Sequence, residues 1–165
     1  MKISITTASD TDAAAIAAFR TSVAEPLTDQ YGKGHWSSCV IEKTVLRNIK
    51  TSRVLVARNN RDIIGMLRLE KKKPWAIDPA YFTSVGLALY LHDMAVAPDL
   101  QHRGIGRRLI KKGMAVARAW PSDAIRLDAY EAAAGAGGFY AKCGFLEVGR
   151  KTYRGVPLVY FELML

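Results

Sequence analysis

The apolar positions change period several times along the chain. ISITT (3–7) alternates as a short strand, after which Ser9 and Asp12 form a helix-start pair ahead of an alanine-rich run that predicts a helix to about Val23. In WSSCVIEKTVLRNIKT (36–51), Val40, Val45 or Leu46, and Ile49 stand near helical spacing. RVLVAR (53–58) and DIIGMLRLE (62–70) read as two strands about NNR, which is a hairpin pattern. Residues 71–85, KKKPWAIDPAYFTSV, break all periodicity and read as an ordered loop near a functional surface. LALYLHDMAV (87–96) is a further strand, running through a glycine-arginine turn into a helix that extends to about Trp120. AIRLDAY (124–130) is strand-like, GGFYAKCG is a short helix ended by Gly144, and GFLEV and PLVYFELML close the chain as strands. Hairpins mixed with strand-helix-strand crossovers predict an α/β sandwich on a mixed sheet. No tandem repeat or Ser/Pro linker divides residues 1–165, so one domain is expected.

Composition narrows the class without naming a function. Half of the 165 residues are hydrophobic and 24% are charged, the balance of a soluble globular protein. No apolar run approaches the roughly 18 residues of a membrane span, and neither an export signal nor an anchor is read. Cys39 and Cys143 lie far apart without CxxC spacing, which gives no support to a disulfide framework or a metal site and suits a cytoplasmic protein. The net charge of +9 attracts anions of several kinds, nucleic acid, acidic membrane and phosphorylated cofactors among them. Charge alone does not choose.

The stretch VAPDLQHRGIGRRL (96–109) is more specific. At about 100° per residue, Ile105, Gly106, Leu109, Ile110, Gly113, Val116, Ala117 and Trp120 share one arc of the helix, and Arg103, Arg107, Arg108, Lys111, Lys112 and Arg118 share the other. No Asp or Glu lies between Gln101 and Ala119. The helix opens where backbone amides lack intrahelical acceptors and the macrodipole is positive, and Gly104 and Gly106 carry no Cβ to hold an anion away. This is a phosphate cradle. Leu109 in place of a third glycine excludes the dinucleotide pattern GxGxxG. In GFLEVGRKT (144–152), Arg150 interrupts the Gly-Lys pair that a P-loop requires.

What remains is a Q-x-x-G-x-G turn, Gln101-His102-Arg103-Gly104-Ile105-Gly106, preceded by DMAVAPD (93–99) and followed by IRLDAYEAAAGAGGFYAKCGF (125–145). With these blocks the sequence resembles the GNAT superfamily of N-acetyltransferases. The resemblance implies a mixed, mostly antiparallel sheet of about six to seven strands flanked by about four helices. It also implies acetyl-coenzyme A (acetyl-CoA) as cofactor, its pyrophosphate on Gln101, His102, Arg103, Gly104, Ile105, Gly106 and Arg107 and its pantetheine on the backbone of Met94, Ala95 and Val96. Tyr140 matches the family's general acid. Strand alternation puts Tyr90, His92 and Met94 on one face and Asp93 on the other unless a bulge intervenes. The resemblance places a catalytic base on the first of these faces, which makes His92 the candidate and Asp93 the reserve. Where many members carry an Asn, this chain has Ala133.

The acceptor pocket implied by the resemblance draws on EPLTDQYGKGHW (25–36) and KPWAIDPAYF (73–82), both irregular in pattern. Their acids and aromatics, Trp36, Trp75, Asp78 and Tyr81 foremost, suit a cationic amine. The function expected is acetyl transfer to a primary amine by direct attack in a ternary complex, the acceptor a small molecule rather than nucleic acid or membrane. The resemblance raises a homodimer as the state of assembly. Two alternatives stay open, a catalytically silent cofactor-binding regulator and a nucleic-acid-binding protein using the basic helix.

Overall fold

Strands β1 (Ile3–Thr7), β2 (Arg53–Asn59), β3 (Asp62–Glu70), β4 (Ala88–Val96), β5 (Ala124–Tyr130), β6 (Leu146–Tyr153) and β7 (Val156–Met164) form one mixed sheet in the order β1-β2-β3-β4-β5-β7-β6. Helices α1 (Ala13–Tyr31), α2 (Glu42–Thr51), α3 (Ile105–Ala119) and α4 (Gly137–Lys142) complete the α/β fold in this computed structural model, which describes residues 1–165. β4 and β5 pair in parallel, over Ala88 to Tyr90 against Ala124 to Arg126 and no further. The β1/β2, β2/β3, β5/β7 and β6/β7 pairs are antiparallel. The chain divides into two compact units, Met1–Leu69 with Asp93–Gly113, and Glu70–His92 with Met114–Leu165.

In the first unit the predicted hairpin forms, with Asn60 at its turn in the left-handed region at φ 55°. Val54, Val56 and Met66 of the hairpin pack on Ala13, Ile16 and Phe19 of α1 and Val45 of α2. The opposite face carries Leu67, which Gly113 of α3 approaches closely enough that a Cβ there would lie 3.3 Å away. Asp12 Oδ2 accepts from the Ser9 amide at 2.8 Å, so the predicted helix start is in place. The helix itself runs eight residues past Val23, through Pro26, to Tyr31. A proline removes one donor from the ladder. Beyond it the Thr28 hydroxyl donates to Ala24 O at 2.9 Å and Gly32 N to Thr28 O at 2.9 Å, and Thr28 Oγ1 lies 2.7 Å from Ser37 Oγ. Seven of the twelve residues expected to be irregular, 25–36, therefore belong to α1.

In the second unit β7 lies between β5 and β6, and each of its faces is covered. Tyr160 and Leu158 pack with Ile77, Phe82 and Tyr90 on one side. On the other, Phe161 meets Tyr140 of α4, and Tyr140 in turn meets Phe145. The loop 71–87 is held by a few strong ties. Glu162 Oε1 accepts from Thr83 N at 3.1 Å, and Arg126, buried with Glu162 as an ion pair of 2.9 Å, donates to Thr83 O. The Tyr160 hydroxyl donates to Ala76 O and accepts from Asp78 N at 3.3 Å. Lys73 Nζ turns back on Pro74 O and Ile77 O at 2.9 and 2.8 Å. These ties and the packing of Tyr81 and Phe82 on Tyr160 hold those two rings in place.

Candidate functional site

The glycine-arginine turn lies in the first unit. A short 3-10 turn over Pro98–Leu100 leads into Gln101, whose side-chain amide donates to Val96 O at 3.3 Å. His102 and Gly104 both take left-handed backbone, at φ 61° and 79°. Arg108 N donates to Gly104 O at 3.1 Å, and the amides of Ile105 and Gly106 in the first turn of α3 have no acceptor within the helix. A Cβ on Gly104 would meet nothing within 4 Å, so the space beside these amides is clear. Gln101, His102, Arg103 and Gly104 are exposed, Ile105 and Gly106 are buried beneath them, and no acid stands in the first turn of α3. Arg107 and Arg108 are exposed, and Arg108 donates to Ile3 O at 2.9 Å. The mouth fits a polyanion.

Just upstream, β4 breaks its own alternation. Asp93 adopts φ 56°, a left-handed conformation unusual for a strand residue. Its carboxylate is held on both oxygens, by Arg20 of α1 at 2.5 Å and by Arg68 of β3 at 2.8 Å. Burial alone would push this carboxyl up, but the two guanidinium charges and their hydrogen bonds hold it below the usual range. An anion compensated twice over is a weak proton acceptor, which lowers Asp93's standing as a base. The kink it makes precedes the half-buried Met94, Ala95 and Val96 directly.

The second unit holds the other candidates. His92 Nε2 stands 2.8 Å from Glu70 Oε1, an ion-pair contact rather than a well-aligned hydrogen bond. A carboxylate there orients the ring and compensates the charge when the ring takes up a proton. Tyr140 is buried among Phe139, Phe145 and Phe161. Burial first, and then the negative charge of Asp128 and of Cys143, push its phenol up. Asp128, at the centre of β5, is half-buried, and desolvation raises its carboxyl above the usual range despite its own backbone hydrogen bond.

The acceptor candidates are divided between the two units. Trp36 belongs to the first unit, where its indole donates to Gly32 O at 3.1 Å and its ring meets Tyr31 edge-on. Trp75 is 83% exposed. Asp78 caps the turn over Pro79–Tyr81 and pairs with Lys151 at 2.5 Å, which lowers its carboxyl. Tyr81 packs on Tyr160 with ring centroids 5.4 Å apart and lies so close over Gly149 that a Cβ there would come within 2.1 Å of its ring. Four functional candidates were missed from sequence: Arg20, Arg68, Glu70 and Asp128. Only Asp128 left a signal, a lone acid inside the apolar strand AIRLDAY.

A model of the acetyltransferase (GNAT) family matches residues 4–145. No curated protein matches the chain. Among solved structures, an acetyltransferase of the GNAT family from Streptococcus pneumoniae superposes with a TM-score of 0.75 at 17% identity, covering 99% of each chain. The yncA protein of Salmonella typhimurium, solved with its cofactor acetyl-CoA, gives 0.70 at 18% identity over 98% of this chain and 93% of that one. A ribosomal-protein-alanine N-acetyltransferase from Brucella melitensis gives 0.70 at 19%, over 98% and 99%. At these identities the structures share the fold.

Proposed function

Because this chain belongs to the acetyltransferase (GNAT) family, we propose that it moves the acetyl group of acetyl-CoA to a primary amine by direct attack in a ternary complex. The observation that carries the reading is the mouth of α3, clear at Gly104, free of acids in its first turn and flanked by Arg103, Arg107 and Arg108. Residues 101–107 take the cofactor's pyrophosphate, and the backbone of Met94, Ala95 and Val96 takes its pantetheine arm. Acetyl-CoA supplies the activated thioester.

The remaining steps use this chain's own groups. His92, steadied by Glu70, takes a proton from the acceptor ammonium, directly or through water. The freed nitrogen attacks the carbonyl carbon, the carbon-sulfur bond breaks, Tyr140 gives its proton to the departing thiolate, and the second proton shed by the nitrogen as it becomes an amide passes through water to restore the phenol. A phenol pushed up by burial stays protonated at neutral pH, so that proton is on hand. Cys39 and Cys143 form no disulfide and carry no acyl group in this scheme. The acceptor is a small amine, approached by Tyr81, Asp78, Trp75 and Trp36. The Brucella neighbour, named for a protein substrate, shares the fold, which leaves acceptor choice to these local side chains. The same reading takes residues 1–165 as one cytoplasmic domain, assembled as a homodimer and acting without nucleic acid or membrane. No helix is long and apolar enough to cross a membrane.

Thiol release from acetyl-CoA, measured against a panel of amines, tests the proposal. Wild-type protein releases thiol in step with acetylated amine, and Tyr140→Phe slows turnover by about a hundredfold with little change in the KM for acetyl-CoA. Turnover in Tyr140→Phe equal to wild type removes Tyr140 from the mechanism. Slow hydrolysis with no amine accepted favours the second reading, a silent cofactor-binding regulator, for which Ala133 in place of the family's common Asn is the supporting feature.

A further inference from the structure

Asp128 has a placement that the scheme above does not use. In the parallel register of β4 and β5, Tyr90 stands opposite Arg126, and the pairing stops there. Both strands run on, so two residues further His92 on β4 and Asp128 on β5 come level at the end where the strands are no longer paired. Across the other edge of β5, Asp128 stands opposite Tyr160 of β7. Arg126, two residues back along the same face, lies over the Phe82 ring at 4.9 Å, and Phe82 in turn contacts Tyr160. Asp128 therefore shares the sheet face bearing Tyr90, Tyr160 and the ordered loop.

The charges on that face are otherwise matched. Glu70 has His92, Asp78 has Lys151 and Glu162 has Arg126. Asp128 has no cation against it, and its carboxyl is raised by desolvation accordingly. A half-buried carboxylate without a counterion, level with a candidate base, is complementary to a positive charge brought in from solution.

We infer that Asp128 anchors the acceptor as an alkylammonium ion, so that the enzyme selects amines that are cationic at neutral pH over weakly basic arylamines. This rests on the acetyltransferase reading and adds a substrate class and a specificity residue to it. The ammonium sits against the Asp128 carboxylate while His92, on the neighbouring strand, receives its proton. Asp128 takes no proton itself. A neutral arylamine forfeits that attraction and leaves the carboxylate uncompensated.

The test compares phenethylamine with aniline, each as acceptor or as competitive inhibitor, in wild type and in Asp128→Asn. The amide keeps the shape and removes the charge. The phenethylamine constant, divided by the aniline constant, rises by about tenfold to a hundredfold in the variant, the loss of one charge-assisted contact. Asp128→Glu recovers part of the preference. An unchanged ratio, with turnover of both amines intact, overturns the anchor and leaves acetyl transfer standing. If wild type acetylates neither amine, the acetyltransferase reading is judged separately on the wider amine panel. Calorimetry of phenethylamine binding then decides the anchor: affinity at least tenfold weaker in Asp128→Asn supports it, and equal affinity overturns it.

Discussion

At the scale of single residues, Asp128 and Asp93 show how one side chain takes opposite electrostatic characters. Both are mainly withdrawn from water, but Asp93 meets two guanidinium groups and Asp128 meets none. Their linkage to stability is therefore opposite. The folded Asp128 carboxyl is raised, so folding favours its protonated form, and the native state bears the cost of a desolvated anion once pH climbs through that raised value. Asp128→Asn removes this cost at neutral pH. Thermal melts of the protein alone should show the variant the more stable at pH 7, with the gap closing near the ordinary carboxyl value of about 4. A wild type more stable than the variant at pH 7 means that a cation of the protein itself compensates Asp128. A group that weakens the resting fold and serves an incoming ligand is a familiar trade between stability and activity.

At the scale of elements, the left-handed turn of β4 at Asp93 has its partners in α1 and β3. Removing Arg68 leaves Asp93 with one cation instead of two, at a strand residue already in left-handed backbone. Arg68→Leu should lower stability by about 1 to 3 kcal/mol, less than the loss of a fully buried pair because Asp93 retains some solvent contact. The Asp93 carboxyl is depressed, so its contribution is fully present above the unfolded value of about 3.9 and is lost as pH falls through the lower folded value. Melts of wild type and Arg68→Leu should differ most at neutral pH and converge in acid; a constant gap across pH assigns the loss to packing instead. This dependence also explains what was legible in the sequence. The cradle at 101–107 is built from neighbours in the chain, so its glycines and arginines could be read directly. The turn of β4 cannot be read from a period of two, since the residues that stabilise Asp93 in that conformation lie 73 and 25 positions upstream. The pairing of Glu70 with His92 was hidden for the same reason, and α1 outran its expected end because a proline costs one bond while Thr28 ties the helix on both sides of the break.

For the molecule as a whole, the net charge of +9 leaves the identity of the anion to be decided by salt dependence. Arg107, Arg108, Lys111, Lys112 and Arg118 are exposed along α3, and a surface of that kind attracts any polyphosphate over roughly the Debye length of 8 Å at physiological salt. A nucleic acid lying along the helix would engage many phosphates at once, and each contact adds about 0.9 to the slope of log affinity against log salt. A coenzyme seated at the helix mouth engages only its own few. Acetyl-CoA affinity should therefore fall by less than about tenfold between about 50 and about 200 mM salt, where a protein making six to ten phosphate contacts loses about a thousandfold or more. Arg103→Ala should weaken acetyl-CoA binding by about 1.5 to 3 kcal/mol, the worth of one charge-assisted hydrogen bond, and flatten the salt slope. Lys112→Ala, on the same charged arc but two turns past the mouth, should change neither by more than about 0.5 kcal/mol. Equal losses in the two variants, measured by calorimetry at one salt concentration, would mean that the anion is gripped by the diffuse field of the helix rather than by the amides at its end, and the cradle would then have no claim on the pyrophosphate.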